Sequence, residues 1–142
     1  MVDEYKIEDQ PSQSSPSRLQ TALLLHETPD GGSHHDWLLV DPNASDHERA
    51  PLWTARVAPA SDRWAEIGRF ELQRIAHHRL AYVTYEGPVS GGRGTVRRID
   101  EGGFTAIEWT EDRIVLDLKM KGFQGRITLR RLSDDRWEAV VG

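Results

Sequence analysis

The chain has 142 residues, 37% of them hydrophobic and 29% charged, the size of one domain with a real core and no room for a second. Its formal net charge of -5 argues against broad non-specific binding to nucleic acid while leaving room for a local basic groove. The absence of cysteine excludes disulfides, thiolate ligands and cysteine nucleophiles; no apolar run approaches the ~20 residues of a membrane helix and the opening MVDEYKIEDQ has no signal-like apolar stretch, so a cytoplasmic protein off the membrane is expected.

Residues 1–18 are acidic and then rich in Ser, Pro and Gln, too polar to offset their ordering entropy, and are expected to form a disordered tail before a folded domain over 19–142. Within that domain, short runs between turn signals predict strands over Leu19–Glu27, His35–Asp41, Leu52–Ala58, Phe70–Ile75, Leu80–Glu86, Gly94–Asp100, Phe104–Trp109, Arg113–Lys119, Gln124–Arg131 and Trp137–Val141. Gly87-Pro88, Gly91-Gly92, Gly102-Gly103 and Asp134-Asp135 are among the breakers. Ser61–Ile67 reads as the one short helix, with Ser61 as its cap. About ten short strands with almost no helical periodicity mean an all-β fold, a barrel or a sandwich. Alternation over Arg113–Leu118 and Arg126–Arg130 fits antiparallel strands with one wet face.

Two stretches carry residues suited to chemistry. In the first, the apolar run Leu23-Leu24-Leu25 delivers His26 to a turn, Thr28-Pro29-Asp30-Gly31-Gly32-Ser33, after which the chain returns through His34, His35 and Asp36. On a strand His34 and Asp36 share a face, and a hairpin brings His26 close to both. Two imidazoles and one carboxylate suit a divalent metal with positions left open for water or substrate; they are equally read as surface polar groups beside a Gly-rich turn. In the second stretch, His78, Tyr82 and Glu86 point one way on a strand, with His78 and Tyr82 roughly 13 Å apart unless the chain bends. The loop Gly91-Gly92-Arg93-Gly94 offers N–H groups and a guanidinium to an anion, or is a plain hairpin turn.

Taken together these residues resemble the 3'-phosphoesterase domain of the bacterial DNA ligase D repair system, and more closely its small stand-alone relatives. That family shows a histidine, a short turn, His-Tyr-Asp-Phe-Arg-Leu, then His-Pro-Leu-Asp-Tyr, an acidic-Gly step and Gly-Thr-Val. Here the matching positions are His26, His34-His35-Asp36-Trp37-Leu38-Leu39, His78-Arg79-Leu80-Ala81-Tyr82, Glu86-Gly87 and Gly94-Thr95-Val96. The resemblance implies a compact antiparallel β-barrel of about eight to ten short strands with at most one short helix, its interior apolar on one side and polar on the other. It implies a divalent ion of the manganese type on that polar side, held by His26, His34 and Asp36, with His78 contacting a phosphate and Tyr82 assisting. The implied activity is removal of a 3'-phosphate or 3'-terminal ribonucleoside from a DNA or DNA/RNA primer strand. The implied setting is a monomer working beside a ligase or polymerase partner.

The family's arginine two residues after the ligand aspartate is Leu38 here, and an acidic tail replaces the family's basic extension. Leucine cannot grip a phosphate bidentately. Either Arg56, Arg79 or Arg93 takes that role, or the barrel binds metal or phosphate without the ancestral catalysis. A barrel used only as an interaction scaffold is the remaining reading. His35 and His77 neighbour favoured histidines but face the other way, and His47 belongs to a loop. The five tryptophans are spread along the chain as core residues, and most remaining basic residues, Arg97 and Arg98 among them, fall on turns or wet faces.

Overall fold

A computed structural model describes residues 20–43, 51–75, 78–79 and 86–142, with His78 and Arg79 described through their backbone alone. The expected tail over 1–18, most of the expected strand Leu80–Glu86, and Tyr82, His77 and His47 lie outside the described residues. The strands are β1 (Thr21–Glu27), β2 (Ser33–Val40), β3 (Pro51–Val57), β4 (Arg69–Arg74), β5 (His78–Arg79), β6 (Gly87–Pro88), β7 (Thr95–Trp109), β8 (Arg113–Met120), β9 (Gln124–Ser133) and β10 (Arg136–Val141). A 3-10 turn, Ser61–Arg63, runs into the short helix α1, Trp64–Ile67.

Eight strands pair in the order β1-β2-β3-β4-β10-β9-β8-β7, and β7 pairs back onto β1, so the sheet closes into an antiparallel barrel. β6 adds outside β7, and β5 pairs with the start of β3. Closure follows from alternation. Leu23, Trp37, Ala55, Leu72, Trp137, Leu129, Leu116 and Phe104, one from each of the eight strands, meet in a single apolar cluster. From α1 the fully buried Trp64 joins that cluster, its ring 4.7 Å from Trp37, 5.3 Å from Phe70 and 5.9 Å from Phe123. Trp53 and Trp137 are buried there too, and Trp109 packs against it, as expected of core tryptophans.

Two local expectations are corrected. Gly102-Gly103 is no break: β7 runs unbroken from Thr95 to Trp109. A Cβ on Gly102 would stand 1.9 Å from the Lys119 carbonyl oxygen, so glycine there permits close approach of β8 instead of ending a strand. Ser61 is no helix cap either; Ala60 occupies that position without a side-chain cap. The Ser61 hydroxyl donates to Asp100 Oδ2 at 2.5 Å. The same buried carboxylate accepts from the backbone N–H groups of Glu101, Lys121 and Gly122, which ties a register shift in β7 to the β8–β9 turn and to the 3-10 turn.

β1 and β2 are buried on both faces. Opposite the interior, on the outer wall, Ala22, Leu24, Leu38, Leu52 and Val96 form a second apolar cluster, with Val40 and Val89 against it. The polar residues that the resemblance puts inside the barrel, His26, His34 and Asp36, stand on the face of β1 and β2 opposite the main apolar cluster. The interior is lined mainly by the apolar cluster, with buried Thr21 and Asp100 on the same face as Leu23, while His26, His34 and Asp36 share the outer face with Leu24 and Leu38.

Candidate metal centre

The β1–β2 hairpin owes its register to its turn. Thr28 N–H donates to the Gly32 carbonyl at 2.9 Å, and Gly31 takes a φ of 91° that suits glycine. The Asp30 carboxylate accepts from the Thr28 hydroxyl at 2.5 Å and from Gly32 N–H at 2.9 Å. The Thr28 hydroxyl, with Gly32 N–H behind it, holds the Asp30 carboxyl below its ordinary range. This register sets His26 directly opposite His34 and Leu24 opposite Asp36, so period-two alternation puts His26, His34 and Asp36 on one face.

The three converge. His26 Nδ1 is 3.2 Å from His34 Nε2, which is 3.2 Å from Asp36 Oδ1; His26 Nδ1 and Asp36 Oδ2 are 3.8 Å apart. One ligand atom from each residue lies within 4.8 Å of the others. Donors held about 2.0–2.2 Å from one ion stand roughly this far apart, so the set fits a divalent cation. The carboxylate is 2% exposed and the two rings 16% and 18%, which leaves an approach through the imidazole edge.

Protonation is set by neighbours. His26 Nε2 is 2.7 Å from the Arg93 carbonyl, which only accepts, so Nε2 is the donor there and Nδ1 is the nitrogen that faces the cluster. Burial, more than the charges around it, pushes the His34 pKa down; Asp36 works the other way, while Arg56, His26 and His35 add to the lowering. A neutral imidazole is the form that ligates.

The other expected residues are distributed unevenly. Arg56 is exposed and stands directly opposite Asp36 across the β2–β3 ladder, hence on the same face. Arg93 brings its backbone carbonyl to His26, its side chain being exposed. His78 pairs with Leu52, itself opposite Val40, so its backbone stands four residues from Asp36 along the strand direction, about 13 Å. Arg79 lies one position further, opposite Pro51. His35 turns away, as alternation requires, and pairs with the Ala58 carbonyl at 3.0 Å. Leu38 is fully buried on the ligand face, within the second apolar cluster.

Two features escape a reading of residue types. The Arg93 carbonyl is one, since its only signal is the glycine after it. Arg98 is the other: the register shift in β7 puts it opposite Leu24, on the ligand face, with its Nε donating to Glu101 at 2.5 Å. The fold and this cluster define the chain as a closed antiparallel β-barrel with a two-histidine, one-aspartate constellation on its outer wall. No protein-family model matches the chain, and no curated protein matches it. No helix among the described residues is long and apolar enough to cross a membrane.

Proposed function

We propose that this protein is a metal-dependent phosphoesterase that processes 3'-phosphate or 3'-ribonucleoside ends of nucleic acid in DNA repair. The observation that carries the reading is the meeting of His26, His34 and Asp36 within 4.8 Å of one another, in a sequence whose motifs resemble those of the ligase D phosphoesterase domain in order and spacing. When bound, a divalent ion of the manganese type supplies charge against the phosphoryl oxygens and acidifies water for attack. Asp36 contributes the anionic ligand from a buried position, His34 is kept neutral by burial, and the Arg93 carbonyl holds His26 with Nδ1 inward. By the resemblance, His78 contacts the phosphate and Tyr82 assists it. The reading carries with it a cytoplasmic monomer that meets the 3' end of a DNA or DNA/RNA primer strand beside a ligase or polymerase.

One observation favours a second reading, a barrel that binds metal or phosphate without turnover: Leu38, buried and apolar, occupies the family's arginine position. Incubation of a 3'-phosphorylated primer with protein and Mn²⁺, beside Asp36→Ala, separates the two. Dephosphorylation that is lost in the variant is the expected result. Thermal stabilisation by Mn²⁺ without turnover selects the binding module. Absence of both would leave only a scaffold.

A further inference from the structure

We infer that Arg56 makes this site selective for the dianion of a phosphate monoester over the monoanion of a diester. The inference rests on His26, His34 and Asp36 acting as ligands, and it goes further by assigning the anion partner and its charge. Arg56 pairs with Asp36 across β2 and β3, so both side chains leave the sheet on one face from backbones about 4.5–5.5 Å apart. It is exposed, and it makes no hydrogen bond or ion pair among the described residues. Of the other arginines near that face, none stands directly opposite Asp36. Arg98 is held by Glu101, and the Arg93 backbone is held against His26. The backbone of Arg79, opposite Pro51, is five register positions along β3 from Arg56.

Charge decides the class of ligand. A divalent ion beside one carboxylate and two neutral imidazoles leaves a single net positive charge. Arg56 raises it to two, matching a monoester phosphate, which is largely a dianion at neutral pH because its second pKa is about 6. A diester carries one negative charge and leaves the second positive charge without a partner. The planar guanidinium can also take two phosphate oxygens at once, an arrangement a lysine ammonium cannot copy.

The test uses the full chain with Mn²⁺ and two probes, an oligonucleotide ending in a 3'-phosphate monoester and the same oligonucleotide with that phosphate methylated to a diester. In R56Q, affinity for the monoester falls at least about tenfold, with a smaller loss for the diester, so the preference collapses. R56K recovers only part of it. R97Q, an exposed arginine opposite Leu25 rather than on the ligand face, binds both probes as the wild type does. Mn²⁺ stabilises wild type and R56Q alike. If Mn²⁺ still binds and R56Q keeps the wild-type preference, the assignment of Arg56 is overturned while the metal site stands. If Mn²⁺ stabilises none of the proteins, the ligand cluster itself is wrong and the inference falls with it.

Discussion

In the proposed metal site His26 turns Nδ1 toward the cluster because a carbonyl outside its own hairpin takes its outer N–H. That carbonyl, of Arg93, reaches the ring at 2.7 Å only because the next residue has no side chain. Gly94 sits at a φ of 100°, and a Cβ there would lie 1.9 Å from the Glu27 carbonyl oxygen. Gly94→Ala therefore forces the loop off β1 and frees the ring to rotate. The expected outcome is a loss of about ten- to hundredfold in Mn²⁺ affinity, the usual effect of removing a partner that orients a ligating histidine. Metal titration, with circular dichroism to confirm that the barrel is intact, measures it; unchanged affinity would mean that the carbonyl orients nothing. Residue types alone suggested an anion loop or a plain turn for this stretch, since a backbone carbonyl carries no signature in the sequence. The converging histidines and aspartate were legible, because strand alternation and a short turn determine which side chains share a face.

Strands β4, β10, β9 and β8 bear on their outer face the charges that alternation expects, and several of these are paired. Glu138 accepts from Arg69 at 2.7 Å and from Arg130 at 3.0 Å; Arg126 grips Asp117 with two nitrogens, at 2.7 and 3.0 Å; Arg136 meets Glu71 at 3.0 Å. Arg69, then Arg130, hold the Glu138 carboxyl below its ordinary value of 4.5, and Arg126 does the same for Asp117. Because the folded state binds the proton less readily than the unfolded chain, the stabilisation is complete above the ordinary carboxylate pKa. It is lost as pH falls through the depressed folded value. The melting temperature should thus begin to drop below about pH 4.5, and Glu138→Gln should flatten that slope without altering it near pH 7. Scanning calorimetry from pH 7 to 3 decides; equal slopes would show that the ladder contributes nothing. Such exposed pairs are weak singly, so the effect is one of slope and not of collapse. The strand pattern here was readable, whereas the continuity of β7 was not. Gly102 looks like punctuation in the chain and becomes a close-contact residue only when Lys119 lies beside it.

At the scale of the molecule the barrel depends on its helical insert. Trp64 is fully buried and packs against Trp37, Phe70 and Phe123, joining residues from β2, β4 and the β8–β9 turn. Trp64→Ala leaves a large hole that a closed sheet cannot collapse around, and should cost about 3–5 kcal/mol. Urea unfolding of the variant measures this, and a loss below about 1 kcal/mol would show that the core does not depend on the insert. Metal binding at the proposed site should survive in whatever fraction remains folded, since the proposed ligands stand on the far side of the β1–β2 wall from that core.

By itself the amino-acid order determined the all-β class, most strand positions, the hairpin around Gly31-Gly32 and the pairing of His26 with His34 and Asp36. All of these follow from period-two alternation and local turn chemistry, which act over a few residues. Tertiary structure alone decided that the cluster stands on the opposite face of β1 and β2 from the apolar core. It also decided that Ser61 serves Asp100 and that Arg56 stands beside Asp36. Each of these depends on which distant strand becomes the neighbour. Sheet closure sets that choice through the register of whole strands, which no short stretch of sequence contains.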